Sequence, residues 1–258
     1  MRLAQISDLH VLPAPGKRLA RVDSAVSLAA VLEAVARSDP DGLLITGDLV
    51  NHGDAPSYRR VLSMIRELGI PMYALPGNHD DPAVLRQELA AECSLELVNR
   101  IGNWTILLVD SSIPGAAHGR VAGLRELEAA LASGDSPVLV ALHHSVIAPC
   151  PFPGCQLSGT HELLDVLAGS ERVRAVVAGH THTANESTWG AIRLMDAPST
   201  MYEALHPVAG ECRSMDDFLA SHRINPERVG FRLHELGDDG SFESEVHWMA
   251  NPGFAPRI

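Results

Sequence analysis

The chain has 258 residues, of which 46% are hydrophobic, which is enough for one large domain with a sizeable core. Its formal net charge of −12 argues against long nucleic acids as partners, because a polyanion is repelled unless local positive charge compensates. No apolar run reaches the roughly 18 residues of a membrane span, and Asp8 precedes any signal-peptide apolar region, so we expect a cytoplasmic protein.

Short apolar runs bounded by turn residues predict buried strands that alternate with helices. The strands are predicted over residues 2–7, 43–46, 71–75, 105–110, 138–143 and 173–179. Residues 21–37 are rich in Ala, Leu and Val, and apolar residues from Tyr58 to Leu68 recur at three- and four-residue steps, which predicts helices. This alternation predicts an α/β domain.

The pattern changes towards the carboxyl end of the chain. Residues 202–228 contain Pro, Gly and acidic residues, which predicts a long loop or a small cap on the surface. Residues 229–249 alternate apolar and polar side chains on both sides of a GDDG turn, which predicts a β-hairpin with one buried face that includes Trp248. We therefore predict a single domain over residues 1–258 that ends in an antiparallel region.

Metal-coordinating residue types follow the carboxyl ends of five predicted strands. The segments are SDLH at 7–10, TGDLVNHG at 46–53, PGNHDD at 76–81, LHHS at 142–145 and GHTH at 179–182. Each segment alone is typical of a turn, a helix cap or a structural histidine. In open α/β sheets, however, ligands gather at the carboxyl ends of strands, so all five can converge on one crevice. Together they predict a metal centre.

The set of donors predicts two metal ions. The candidate ligands are Asp8, His10, Asp48, Asn78, His143, His180 and His182. This mixed oxygen and nitrogen set without a thiolate is too large for one tetrahedral zinc ion. Asp48 is the natural bridge, because a carboxylate can hold two cations about 3.5 to 4 Å apart. Iron, manganese, zinc and cobalt all accept such donors, so the residues do not choose the metals.

The charge of this predicted centre indicates a class of substrate. Two divalent cations, the carboxylates of Asp8 and Asp48 and one hydroxide leave a surplus of about one positive charge. That surplus suits a singly charged phosphodiester. Asn78 is neutral and preserves the surplus, which a third carboxylate would cancel.

The order of these motifs resembles the calcineurin-like metallophosphoesterase family. The likeness rests on D-x-H at 8–10, GD at 47–48, GNHD at 77–80, His143 and GH-x-H at 179–182, and it covers residues 1 to about 183. It implies a four-layer sandwich, in which two β-sheets are flanked by helices and a dinuclear site lies at one edge. It also implies one metal held by Asp8, His10, Asp48 and His182, and the other held by Asp48, Asn78, His143 and His180.

Further segments resemble one branch of this family. Protein phosphatases carry GDxVDRG, whereas this chain has Asn51 and His52 in place of the Asp and Arg, so we do not expect hydrolysis of phosphoproteins. GDLVNHG, LPGNHDD, HGRVAGLRELEAAL, APST and FRLHELGDDGSFESEVHWM resemble bacterial cyclic-nucleotide phosphodiesterases and their glycerophosphodiesterase relatives. Those relatives read HHPP where this chain reads HHSV at 143–146, which leaves the shape of the pocket open on that side.

We therefore predict a dinuclear metal phosphodiesterase that acts on a small diester, with cyclic AMP as the first choice of substrate. One alternative is a glycerophosphodiesterase, or a hydrolase of broad specificity for phosphodiesters or phosphonate esters. Another is a catalytically silent metal-binding scaffold. We expect no membrane span, and a homodimer remains open.

The resemblance also suggests roles around the metals. His79 is predicted to hydrogen-bond the phosphoryl oxygens or to protonate the leaving group, although it could merely order its loop. Asp48 and Asn78 are predicted to take part in catalysis, and Asn78, His144 and Tyr202 to contact substrate; His144 could instead support His143. Asp80 is predicted either to orient the His79 imidazole or to be a surface carboxylate or helix cap.

Overall fold

The computed structural model describes residues 1–147, 156–205 and 224–255, and its short apolar segments form strands as predicted. The strands are β1 (Arg2–Ile6), β2 (Gly42–Thr46), β3 (Met72–Leu75), β4 (Cys93–Ser94), β5 (Val98–Ile101), β6 (Trp104–Leu108), β7 (Gly119–Arg120), β8 (Val138–Ala141), β9 (Leu157–Ser158), β10 (Val173–Ala178), β11 (Glu186–Trp189), β12 (Ile192–Asp196), β13 (Glu203–Ala204), β14 (Ile224–Asn225), β15 (Arg228–Leu236) and β16 (Phe242–Ala250). The helices are α1 (Ser24–Arg37), α2 (Ala55–Ile65), α3 (Pro82–Leu89), α4 (Leu124–Ala132) and α5 (Thr160–Ala168), and a 3₁₀ turn at Arg66–Leu68 follows α2.

Two six-stranded sheets carry the fold. Their strand orders are β16-β15-β1-β2-β3-β4 and β11-β12-β10-β8-β6-β5. The strands β1 to β4 run parallel to one another, as do β6, β8, β10 and β12. Parallel neighbours need a crossover connection, and helices supply several of the crossovers here. The antiparallel strands β11 and β5 form the edges of the second sheet, and the antiparallel pair β15 and β16 extends one side of the first sheet.

Three apolar clusters separate four layers. Leu28, Val61 and Leu85 of α1, α2 and α3 pack against the outer face of the first sheet. Helices α4 and α5 cover the outer face of the second sheet in the same way. Trp104 and Leu44 belong to the cluster between the two sheets, where both side chains are fully buried. The predicted four-layer αββα sandwich is therefore confirmed.

Aspartate side chains set the starts of three helices. The carboxylate of Asp23 accepts a hydrogen bond from the Val26 amide, so α1 begins at Ser24, not at residue 21 as predicted. Asp54 and Asp81 cap α2 and α3 in the same manner. Each cap lies after a loop that follows a parallel strand, so the caps also end the loops that carry predicted metal ligands.

The carboxyl-terminal strands β15 and β16 pair antiparallel along their whole length and add two strands to the first sheet. Trp248 on β16 is only half-buried, so the prediction that it belongs to the core is wrong. The Arg228 guanidinium lies 3.9 Å from the centroid of the Trp248 ring instead.

Residues 206–223 of the predicted loop or cap lie outside the described residues. On either side of them, β13 and β14 pair antiparallel. Among the described residues, none of the helices has the length and apolarity needed to cross a membrane.

A buried polar contact crosses the interior between the two sheets. The Gln5 amide nitrogen donates to Thr46 Oγ1 and to the Ala178 carbonyl, each over 3.0 Å. Because Gln5 Oε1 can only accept, the Nε2 of the fully buried His234, 3.0 Å away, carries the proton of that bond. Burial, reinforced by Arg232 and Arg193, lowers the pKa of His234 from 6.5 to about 3. The imidazole is therefore neutral at pH 7.

We expect the free energy of unfolding to fall as the pH drops from 6.5 towards about 3, and we expect His234→Gln to flatten this dependence. Below pH 6.5 the unfolded chain binds a proton at this position, whereas the folded chain does not until about pH 3, so acid favours unfolding in this window. The substitution should reduce the slope by up to about 1.4 kcal/mol per pH unit. Urea unfolding of the metal-free protein at several pH values between 4 and 8 measures this slope. His161→Gln is the control, because His161 is exposed and its substitution should leave the slope unchanged. A slope in His234→Gln equal to that of the wild type would contradict the expectation.

Candidate metal centre

The seven predicted ligands lie together at the edge where β1, β2, β3, β8 and β10 end. Groups of side chains whose ligand atoms lie within 4.8 Å of one another are Asp8/His10/His182, Asp8/Asp48/His143, His10/Asp48/His79 and His143/His144/His180. Asn78 joins them, because its Oδ1 lies 3.1 Å from His143 Nε2. Donors spread over 175 residues of sequence thus form one cluster of groups that could hold metal ions.

The backbone at these strand ends is held in a sparsely populated conformation. Five of the candidate ligands have positive φ angles, namely Asp8 (53°), His10 (46°), Asp48 (50°), His180 (68°) and His182 (53°). Such left-handed conformations cost of order 1–3 kcal/mol each in non-glycine residues and concentrate at functional sites. Close approach of the backbone is also required, because a Cβ on Gly77 would lie 2.2 Å from Asp48 Oδ1. These backbone conformations accompany an arrangement in which several donor side chains lie within ligand distance of one another.

The first half of the cluster consists of two histidines and two carboxylates. His10 Nε2 lies 3.1 Å from His182 Nε2 and 3.6 Å from Asp48 Oδ2, and His182 Nε2 lies 3.4 Å from Asp8 Oδ1. Burial lowers the pKa of His10, and so do its neighbours His79 and His182. When both rings carry their proton on Nδ1, the two Nε2 lone pairs lie close enough together, beside the Asp8 and Asp48 carboxylates, to bind one cation. The donor set therefore fits a metal ion.

The second half is centred on His143, which is fully buried. Its Nε2 lies 3.1 Å from Asn78 Oδ1, 3.2 Å from His180 Nδ1 and 3.5 Å from Asp48 Oδ2. Its Nδ1 donates to the Thr46 carbonyl over 2.8 Å. Because a carbonyl only accepts, this bond places a proton on Nδ1, so that Nε2 is the atom with which the neutral ring could bind a metal.

Asp48 lies between the two halves and is 2% exposed. Its Oδ2 is 3.6 Å from His10 Nε2 and 3.5 Å from His143 Nε2. Its Oδ1 accepts a hydrogen bond of 2.8 Å from the backbone amide of His79. One carboxylate oxygen thus faces both histidine groups, while the other anchors the loop after β3.

His79 is partly exposed at the rim of the cluster. Its ring meets the ring of His10 edge-on, with the centroids 4.8 Å apart. Its Nδ1 lies 3.1 Å from the Asn51 carbonyl and therefore carries a proton. The Nε2 of the same ring is then the atom left to take up or release a proton.

Two further residues predicted to contact substrate lie next to the cluster. His144 is fully buried, with its Nδ1 2.8 Å from Ser111 Oγ and its Nε2 3.3 Å from the Ala117 carbonyl. Burial and the neighbouring His143 and His180 lower its pKa to about 2. The Tyr202 ring packs on the His182 ring at 4.5 Å. Substrate contact by His144 and Tyr202 stays a prediction.

Asp80 has neither of the roles predicted for it. It is buried, and its carboxylate accepts backbone N–H bonds from Leu49 (3.2 Å), Val50 (3.3 Å) and Gly77 (2.8 Å) and a bond from the Tyr58 hydroxyl (3.0 Å). The helix cap is its neighbour, as described above. Asp80 therefore links the loop after β2 to the loop after β3 through its hydrogen bonds. This connection was missed because three of its four partners, Leu49, Val50 and Tyr58, are distant in the sequence.

Comparisons with known proteins agree with this arrangement. Residues 1–184 match the family model described as calcineurin-like phosphoesterase. A 3′,5′-cyclic adenosine monophosphate phosphodiesterase of Pseudomonas aeruginosa is 33% identical over 254 residues, which cover 95% of this chain and 88% of that protein. A probable cyclic nucleotide phosphodiesterase of Synechococcus is 32% identical over 254 residues, covering 96% of this chain and 92% of that protein.

A solved structure provides an independent comparison of the fold. A dimetal phosphatase from Danio rerio, 15% identical, aligns with 97% of this chain and 98% of its own length at a TM-score of 0.62. At that identity the likeness supports the architecture alone. The match over residues 1–184, which carry all seven candidate ligands, decides the family. The chain belongs to the calcineurin-like phosphoesterase family.

Proposed function

We propose that this chain is a metal-dependent phosphodiesterase that hydrolyses a 3′,5′-cyclic nucleotide, with cyclic AMP as the first candidate, at a dinuclear metal centre. Relatives about one-third identical over nearly the whole chain carry names of that activity. The observation that carries the proposal is the position of Asp48 Oδ2, 3.6 Å from His10 Nε2 and 3.5 Å from His143 Nε2. One carboxylate oxygen is thus close to a histidine of each proposed ligand set.

The proposed ligand sets follow this division. Asp8, His10, Asp48 and His182 would hold one ion, and Asp48, Asn78, His143 and His180 the other. The ions would act as Lewis acids and activate water at neutral pH. Iron, manganese, zinc and cobalt all suit these nitrogen and oxygen donors.

The side chains of this protein have separate tasks in the proposed reaction. Asp8 is fully buried, and the neighbouring His182, His143 and His10 outweigh the effect of burial and hold its pKa well below the usual range. Its carboxylate is therefore ionised at neutral pH. Asn78 contributes an oxygen without adding negative charge, which keeps the crevice attractive to an anionic diester.

His79 is proposed to supply the proton of the leaving group. Hydrolysis adds a water oxygen to phosphorus and breaks one ring P–O bond, and the ribose oxygen released is strongly basic. Because the Asn51 carbonyl occupies Nδ1, the imidazolium form of His79 can donate from Nε2. The ribose oxygen then leaves as a hydroxyl group.

The test is hydrolysis by purified protein that has been stripped of metal and reloaded with Mn²⁺. Cyclic AMP, glycerophosphocholine and bis(p-nitrophenyl) phosphate are compared by kcat/KM, and we expect cyclic AMP to be the best substrate. Equal turnover of cyclic AMP and the aryl diester would contradict the choice of substrate. Absence of hydrolysis with manganese, iron, zinc and cobalt would contradict an enzymatic function and favour the scaffold. The cytoplasmic location, the single domain and the homodimer stay predictions.

A further inference from the structure

A buried carboxylate outside the proposed ligand set lies beside the cluster. Asp196 is the last residue of β12 and is fully buried. Its Oδ2 accepts hydrogen bonds from Ser145 Oγ (2.9 Å) and Asn185 Nδ2 (2.9 Å). Thr181 Oγ1 lies 3.3 Å from the same oxygen and 3.2 Å from the Thr183 carbonyl, so it shares its proton between them. A single oxygen atom is thus the common acceptor of three side chains.

The three donors belong to the two loops that carry most of the proposed histidine ligands. Ser145 lies two residues after His143, in the loop that follows β8. Thr181 lies between His180 and His182, in the loop that follows β10, and Asn185 ends that loop. Ser145 Oγ also accepts the backbone N–H of Ile147 over 3.1 Å, which folds the first loop back on itself. Asp196 therefore links one loop to the other.

Asp196 is itself held from the opposite sheet. Arg232 on β15 is fully buried, and its Nε donates to the Asp196 carbonyl over 2.8 Å. Its Nη2 donates to the Asn185 carbonyl over 3.1 Å. Hydrogen bonds from or to ionised groups in a low-dielectric interior are about twice as strong as neutral ones. Asp196, which links the two loops, is therefore itself held in position by Arg232.

We propose that Asp196 is a positioning residue for the metal centre, which holds the loop of His143 and the loop of His180 and His182 in their metal-binding arrangement. The inference rests on the proposed function, because it concerns the affinity of that same centre. It also explains the HHSV sequence at 143–146. Ser145 provides a hydroxyl for Asp196 at the position where a proline would provide no donor.

The test is isothermal titration of metal-stripped protein with Mn²⁺. Substitution of residues that support metal ligands typically lowers metal affinity about 10–100-fold, and we expect Asp196→Ala to fall in that range. Asp196→Asn retains an oxygen acceptor for the three donors and should restore affinity to within about threefold of the wild type. Arg193→Ala on the same strand is the control. Its guanidinium contacts the Phe242 carbonyl and Glu186, so Mn²⁺ affinity should not change.

A double-mutant cycle separates positioning from general destabilisation. Ser145→Ala should weaken Mn²⁺ binding in the wild type and weaken it less in Asp196→Ala, because its bond to Asp196 is already lost there and only the bond from the Ile147 amide is still removed. Circular dichroism and thermal unfolding establish which variants are folded. If Asp196→Ala does not fold, Ser145→Ala decides, and unchanged Mn²⁺ affinity in that variant overturns the inference.

The outcomes for the two proposals differ. A wild type that binds Mn²⁺, together with a folded Asp196→Ala variant that binds it equally well, contradicts the positioning role alone. A wild type that binds no Mn²⁺, Zn²⁺, Co²⁺ or Fe²⁺ contradicts the proposed metal centre and the inference that rests on it.

Discussion

Asp48→Asn is expected to lower kcat/KM for cyclic AMP by at least about a thousandfold, which corresponds to about 4 kcal/mol of transition-state stabilisation. It should also remove about one equivalent of bound metal per chain. Asp48 Oδ2 faces both histidine groups, at 3.6 Å from His10 Nε2 and 3.5 Å from His143 Nε2, so its charge serves both halves of the centre. The neutral amide is a much weaker ligand for two cations.

The choice of asparagine distinguishes a loss of activity and bound metal from a loss of the folded structure. Its side-chain oxygen can still accept the 2.8 Å hydrogen bond from the His79 amide, so the loop after β3 should keep its place. The measurements are steady-state kinetics and elemental analysis of metal bound per chain. Asp39→Asn is the control, because that side chain is 93% exposed and should affect neither quantity. Two metal equivalents and wild-type kinetics in Asp48→Asn would contradict the bridging role.

Hydrolysis of cyclic AMP should slow by about 10²–10⁴-fold in His79→Ala, the range typical of a lost general acid. Hydrolysis of bis(p-nitrophenyl) phosphate should slow much less, because nitrophenolate is a good leaving group that does not need a proton. The bound metal should be unchanged, since His79 is not among the proposed ligands. The comparison of the two substrates therefore isolates proton transfer from metal binding.

The same comparison distinguishes the two roles considered for His79. If its ring only orders the loop through the 3.1 Å contact with the Asn51 carbonyl, both substrates should lose activity to the same degree. Equal losses would therefore contradict the general-acid role.

The pattern of apolar residues was sufficient to predict an α/β domain and the cluster of donors, and the family resemblance added the four layers. Buried parallel strands are short apolar runs that can be recognised locally, and the residues that follow them must lie at one edge of a sheet. Asp8, His10 and Asp48 could be placed in one crevice on that basis. The motif order then led to the family, which the comparisons confirm.

Only the tertiary structure decided what supports these donors. Asp80 and Asp196 look like ordinary turn and strand-end residues, yet their buried carboxylates bind groups that are 31 and 51 positions away in the chain. Trp248 likewise has the pattern of a core residue but lies against Arg228. Local patterns report which face of an element is apolar, whereas the partner of a buried polar atom depends on which distant loops the fold brings together. For that reason the candidate ligands could be predicted from the sequence, whereas the residues that support them could not.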